Sequence, residues 1–362
     1  MDGALRTGAA TAVLAGVVAL ALTGADAGAT GWAKPPAPRT ERVSTTSAGG
    51  QLDGHSRQGV LSDDGRYAAF STKAVEFGCE RNVYTCLRLK DRATGEVTAV
   101  PGADGFSWAP PVISGDGRHV GFTAGTKVPV PEVYDRTTGT SVRVLPESDG
   151  EAWTGELWSL SRDGAHVAYG AGTRPRPTQR LYVRDMARGT DDLISGEADG
   201  DKEYASVSAD GTRVAYQLRT AGDDSADVLV RNRTTGRTVQ VDKGLGRAGL
   251  VQLGADGRQV VFTADGGTYV HDLRTGRTRH LAQTPAVSAS RDGRYALIGA
   301  ADGDTLTLLD LRTGSRTPVG PGDAVPGAVT ARGREVAFTS AATDLVPDDT
   351  NGDSDIFVRH TR

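Results

Sequence analysis

The sequence predicts an all-β chain, a seven-bladed β-propeller of four-stranded antiparallel blades, and three observations predict it. First, Ser-x-Asp-Gly recurs at Ser62–Gly65, Ser114–Gly117, Ser161–Gly164, Ser208–Gly211 and Ser290–Gly293, with degenerate copies at Gly254–Gly257 and Thr330–Gly333. The closing glycines, at 65, 117, 164, 211, 257, 293 and 333, lie 36 to 52 residues apart, close to the period of a propeller blade. Second, apolar columns run in register with them: Ala68, Val120, Val167, Val214, Val260, Ala296 and Val336 three residues on, and Phe70, Phe122, Tyr169, Tyr216, Phe262, Ile298 and Phe338 five residues on. Side chains two residues apart share one face of a strand. Third, Asp or Asn stands four residues before Gly at Asp91–Gly95, Asp135–Gly139, Asp185–Gly189, Asn232–Gly236, Asp272–Gly276 and Asp310–Gly314. An Asx side chain bonds the backbone ahead of it, and Gly accepts the left-handed turn conformation. Each unit therefore reads strand, Asp-Gly turn, strand, strand, Asx turn, strand.

Composition agrees with this reading and narrows the function. The 362 residues include 48 Gly but 2 Met, as expected of many turns joining short strands. A net charge of −4 gives no electrostatic footprint for nucleic acid. Two Cys exclude a disulfide scaffold and a multi-cysteine zinc site. Of 41 basic residues 35 are Arg, but they are scattered among acids and outline no phosphate site.

In chain order, residues 1–27 read as a secretory signal peptide: Arg6, an apolar run from Ala9 to Leu22, then Ala25-Asp26-Ala27 as the cleavage site. The apolar run is too short for a transmembrane anchor, so the expected product is a secreted, extracellular or cell-envelope protein. Residues 28–39 form a Pro-rich arm around Lys34-Pro35-Pro36-Ala37-Pro38. One propeller domain is expected over 40–362, with blades near 58–100, 110–145, 157–195, 204–242, 249–282, 286–319 and 326–360. The seventh unit ends without a fourth strand, and residues 40–45 resemble the other fourth strands. The expectation is that this N-terminal strand completes the last blade and closes the ring, removing an exposed edge.

The units resemble the WD-like repeats of TolB-type β-propellers over essentially residues 40–361. The resemblance rests on Ser-x-Asp-Gly-x-x-Val-Ala-Phe, on the Asp-x-x-Thr-Gly turn, and on the last unit from Phe338-Thr339-Ser340 through Asp349-Thr350-Asn351-Gly352 to Asp355-Ile356-Phe357-Val358. It implies the propeller fold and a bacterial envelope setting. It names no activity, because propellers host many.

No nucleophile elbow, zinc-protease motif or phosphate loop occurs, and His119 and His166 fall at equivalent repeat positions and read as strand residues. Cys79 and Cys86 are expected to form a disulfide pinning the loop before the third strand of the first unit. Asp349, Asn351, Asp353 and Asp355 alternate like oxygen ligands and are calcium candidates, although a solvated polar turn is the plainer reading. No other cofactor is expected. The loops entering the first strands gather on one face, and there His55, Trp108, Trp153, Glu156, Glu203 and Tyr204 outline a candidate ligand or partner surface. Trp158 aligns with an apolar column containing Val251 and Val287 and reads as core. The resulting expectation is a monomeric, non-enzymatic binding or scaffold module for a protein or glycan at the envelope. The alternative is a carbohydrate-active lyase or hydrolase with its site at the central funnel.

Overall fold

The computed structural model describes residues 39–79, 85–104, 109–125, 127–147, 153–173, 180–196, 200–219, 225–299 and 305–361. Residues 1–27, read above as a signal peptide, nearly all of the expected arm, and Trp108 lie outside these. Seven antiparallel sheets follow one another along the chain. Six have four strands in sequence order, such as Ser56–Leu61, Tyr67–Thr72, Cys86–Asp91 and Val97–Asp104 in blade 1. In blade 7 the order is Thr40–Arg42, Asp355–His360, Glu335–Ser340, and the innermost strand is reduced to a bridge between Val329 and Val336.

The closing strand is where the repeat pattern placed it. Thr40, Glu41 and Arg42 pair with Arg359, Val358 and Phe357, and Val43 N–H extends the ladder to the Ile356 carbonyl at 2.7 Å. Seven apolar clusters fill the seven spaces between neighbouring blades. The one between blades 7 and 1 takes Val43 and Leu52 from the N-terminal segment. The ring is thus sealed by the same apolar burial that joins every other pair of blades.

Both turn motifs have local hydrogen-bond causes. In the five Ser-x-Asp-Gly copies the Ser hydroxyl donates to the Asp carboxylate at 2.5–2.7 Å. The same hydroxyl accepts the N–H five residues on, at 2.9–3.0 Å. In the second turn the Gly N–H donates to the carbonyl of the Asx residue four back in all six copies.

The closing glycines also do tertiary work. The side chain two residues past each one packs on the closing glycine of the next blade: Tyr67 on Gly117, His119 on Gly164, His166 on Gly211, Arg213 on Gly257, Gln259 on Gly293, Tyr295 on Gly333, and Glu335 on Gly65. The seven contacts form a complete circle. His119 and His166 are strand residues, as their repeat positions implied, and their rings pack on these glycines.

The turn end of the ring is tied across its centre. Asp63 of blade 1 receives Arg162 of blade 3 at 2.7 Å and Arg291 of blade 6 at 3.1 Å. Backbone bonds join neighbouring turns: Ala331 to Asp63, Asp63 to Gly115, Gly115 to Arg162, Ala209 to Ala255, and Ala255 to Arg291.

Arg66–Asp91, Arg118–Asp135 and Arg294–Asp310 link the two turn types within blades 1, 2 and 6 at 2.6–2.8 Å. The Arg66 and Arg118 side chains hold the Asp91 and Asp135 carboxyls below the usual range. Burial opposes the shift at Asp310, but Arg294 and backbone N–H groups bring it down to about 2. Depressed carboxyls stabilise the fold above the unfolded value of 3.8 and lose that contribution as pH falls through their folded values. The thermal midpoint is therefore expected to drop as pH falls below about 4. Arg118→Ala should make the drop shallower, and an unchanged slope would show that this pair contributes nothing.

Candidate functional site

The innermost strands line the centre of the ring, and a local irregularity aims their side chains. Strand Trp153–Leu160 loses register against its neighbour between Leu157 and Ser159, and strand Asp201–Val207 does so between Lys202 and Tyr204. Trp158 and Glu203 are the extra residues at these β-bulges. A bulge leaves one residue out of the ladder and redirects it. Val251 and Val287 occupy the bulge position of Trp158 in blades 5 and 6, whereas Glu203 bulges two residues earlier in its repeat.

The consequence is a cavity of about 320 Å³ at the entry ends of the inner strands. Its walls include Glu156, Trp158, Glu203 and Tyr204, with apolar surface from Val112 and Pro326. Below it the channel narrows past Gln252 and Arg291. Three of the six surface candidates read from the sequence, Glu156, Glu203 and Tyr204, thus meet in one place. Trp158 joins them. It is 5% exposed and packs in the core between blades 3 and 4, as its column implied, yet it also forms cavity wall. Its indole Nε1–H is buried and finds no hydrogen-bond partner among the described residues.

The charges differ in their surroundings. Glu203 is held by Arg219 at 3.0 Å and by the Gln217 side-chain amide, whose carbonyl accepts the Leu250 N–H at 3.1 Å. Glu156 makes no hydrogen bond or ion pair among the described residues. Burial pushes the Tyr204 hydroxyl up to about 12, opposed in part by the Arg291 charge. It is therefore a neutral donor and acceptor at physiological pH.

The remaining candidates lie elsewhere. Trp153 is a strand residue rather than a loop residue; it packs edge-on to Tyr182 at 6.1 Å beneath the Arg180 guanidinium. His55 belongs to a polar clasp between the chain ends: its Nε2 lies 3.2 Å from Asp353, and its Nδ1 accepts the Ser354 N–H at 3.0 Å. The calcium candidates are the other half of that clasp. Arg42 lies 3.3 Å from Asp349 and 3.2 Å from Asp355. Ser44 donates to Asp355 at 2.6 Å, Gln51 donates to Asp349 at 3.0 Å, and the Asn351 amide donates to the Leu52 carbonyl. Their oxygens face a guanidinium, a hydroxyl and amides, and no group of three His, Cys, Asp or Glu side chains fit to hold a metal ion occurs among the described residues.

Cys79 and Cys86 form the expected disulfide, with Cα atoms 5.8 Å apart. Arg88 braces it, donating to Cys79 Sγ at 3.2 Å and to the Phe77 carbonyl at 3.3 Å. Among the described residues no helix is long and apolar enough to cross a membrane.

No protein-family model and no curated protein matches the chain. Solved structures do. An oligogalacturonate lyase in complex with manganese superposes with a TM-score of 0.63 at 16% identity, over 89% of this chain and 93% of the lyase. An oligogalacturonate lyase from Vibrio parahaemolyticus gives 0.64 at 15% identity over the same shares. TolB from Acinetobacter baumannii gives 0.43 at 18% identity, over 77% of this chain and 59% of TolB; an overlap this loose carries no argument. At such identities the likeness to the lyases speaks to fold alone. This chain is similar to them in its seven-bladed propeller fold.

Proposed function

We propose that this chain is an exported binding protein that receives a glycan in its central cavity. The observation that carries the reading is the buried, unpartnered indole N–H of Trp158 in a wall that also presents Tyr204, Glu156 and Glu203. An unmade buried hydrogen bond is costly, and a ligand oxygen would satisfy it. Aromatic faces beside carboxylates suit the C–H faces and hydroxyls of a sugar ring, and the volume falls at the small end of ligand pockets. Export is supported by the leader-like residues 1–27 and by the disulfide, which belongs to oxidising compartments.

The second reading, acid–base cleavage of a glycan, is favoured by two carboxylates, Glu156 and Glu203, lining one cavity. The manganese of the lyase neighbour does not transfer to it. The cavity carboxylates are accompanied by aromatic rings and no imidazole, one carboxylate is neutralised by Arg219, and this donor set does not fit such a centre.

Titration of the purified chain against a glycan panel, with product analysis, separates the readings. Binding without turnover is expected, weakened about tenfold or more by Trp158→Phe, which keeps the ring and removes the donor. Product formation abolished by Glu156→Gln would establish the enzyme instead.

A further inference from the structure

The cavity's chemistry narrows the glycan, an inference that rests on the binding function proposed above. Two charged side chains, Glu156 and Glu203, stand among the residues of its wall. Glu203 is neutralised by Arg219 at 3.0 Å. Arg291 lies deeper in the channel, outside this wall, where it shares the Asp63 carboxylate with Arg162 and donates to the Ile113 carbonyl. The charge left uncompensated at the wall is the Glu156 carboxylate. Beside it stand the rings of Trp158 and Tyr204 and a buried donor, the Trp158 N–H, lacking an acceptor among the described residues.

We infer that the cavity selects an amino sugar bearing a free ammonium group. Its ammonium pairs with Glu156, its pyranose C–H face lies against the aromatic rings, and a ring or hydroxyl oxygen accepts the Trp158 N–H. Each part of this ligand answers a group that is otherwise unmatched. A cation near a carboxylate and an aromatic face gains from both, and more so where water is partly excluded. A neutral or N-acetylated sugar leaves Glu156 without a partner. A uronate brings a second negative charge against Glu156, at a wall that no cationic side chain lines among the described residues, and is rejected by repulsion.

The test is calorimetric titration of the exported chain with three probes: a β-1,4-linked glucosamine tetramer, its fully N-acetylated counterpart, and a tetragalacturonate. The glucosamine tetramer is expected to bind at least tenfold more tightly than the acetylated one, with tetragalacturonate weakest. Glu156→Gln, at a partly exposed position that costs little stability, should erase the preference for the free amine. Rising salt should weaken glucosamine binding, as should raising the pH until the amine loses its proton. Equal or tighter binding of the acetylated or uronate probe overturns the amine assignment. If Trp158→Phe weakens that binding while Glu156→Gln does not, the cavity still stands as the glycan site. If none of the three binds, both the amine assignment and the glycan reading fall.

Discussion

Replacing Arg42 with Ala is expected to cost about 3–5 kcal/mol of unfolding free energy, the usual penalty for stranding a buried charge. The Arg42 side chain is 9% exposed and lies between Asp349 and Asp355, which are 2% and 1% exposed. Removing it leaves two buried carboxylates facing each other with Ser44 and Gln51 as their remaining polar partners. The same residue sits on the strand that closes the ring, so the loss falls on the joint between blades 7 and 1. The pH dependence identifies the cause. Burial already pushes the Asp355 carboxyl up, against the pull of Ser44 and Arg42. Without Arg42 its folded pKa rises further, and a raised carboxyl costs stability as pH climbs through that value. The deficit of the variant should therefore be full well above the folded value and shrink as pH falls toward the ordinary carboxyl value of 3.8. Chemical denaturation at several pH values measures this; a deficit independent of pH would mean that lost packing, not stranded charge, is responsible.

Gly117→Ala is expected to destabilise by a similar amount, about 2–5 kcal/mol, from two sources that add. Gly117 has φ of +70°, in the left-handed region where a Cβ costs about 1–2 kcal/mol. A Cβ there would also stand 2.2 Å from Tyr67 Cδ2, and the Tyr67 ring is held in place, 6% exposed in the core between blades 1 and 2. Forcing extra atoms into a packed core costs about 1–3 kcal/mol more. Gly139 is the natural control: its φ is +72° but nothing lies within 4 Å of its Cβ position. Gly139→Ala should show only the backbone cost. Equal thermal shifts for the two variants would remove the packing contribution.

The fold was legible in the sequence because its causes are local. The Ser hydroxyl, the Asp carboxylate and the amides they bond all lie within six residues of one another, so each copy leaves its mark in a short window. Ring closure was legible too, since residues 40–45 repeat the pattern of the other fourth strands and the seventh unit lacks one. The site was half legible. Glu156, Glu203 and Tyr204 were picked out as residues of the loops entering the inner strands, and they stand inside those strands, near their entry ends. The part played by Trp158 was hidden, because alignment with Val251 and Val287 marks a position as apolar but not as a bulge facing the channel. The clasp was hidden for a different reason. Alternating acids at 349–355 resemble ligands in a short window, whereas their partners arrive from the far end of the chain, as Ser44 does across 311 residues to Asp355. His55 was drawn toward the ligand face by its loop and is held by Asp353 and Ser354 of the same clasp.

The central claim is that the inner-strand bulges aim Trp158 into a ligand cavity whose occupant satisfies its indole N–H. The direct measurement is an ¹⁵N-indole NMR titration with the glucosamine tetramer, the Trp158 signal assigned by its loss in Trp158→Phe. The account predicts a saturable shift of that resonance, with the Trp153 signal unmoved. A sugar that binds while the Trp158 indole resonance stays in place would contradict it.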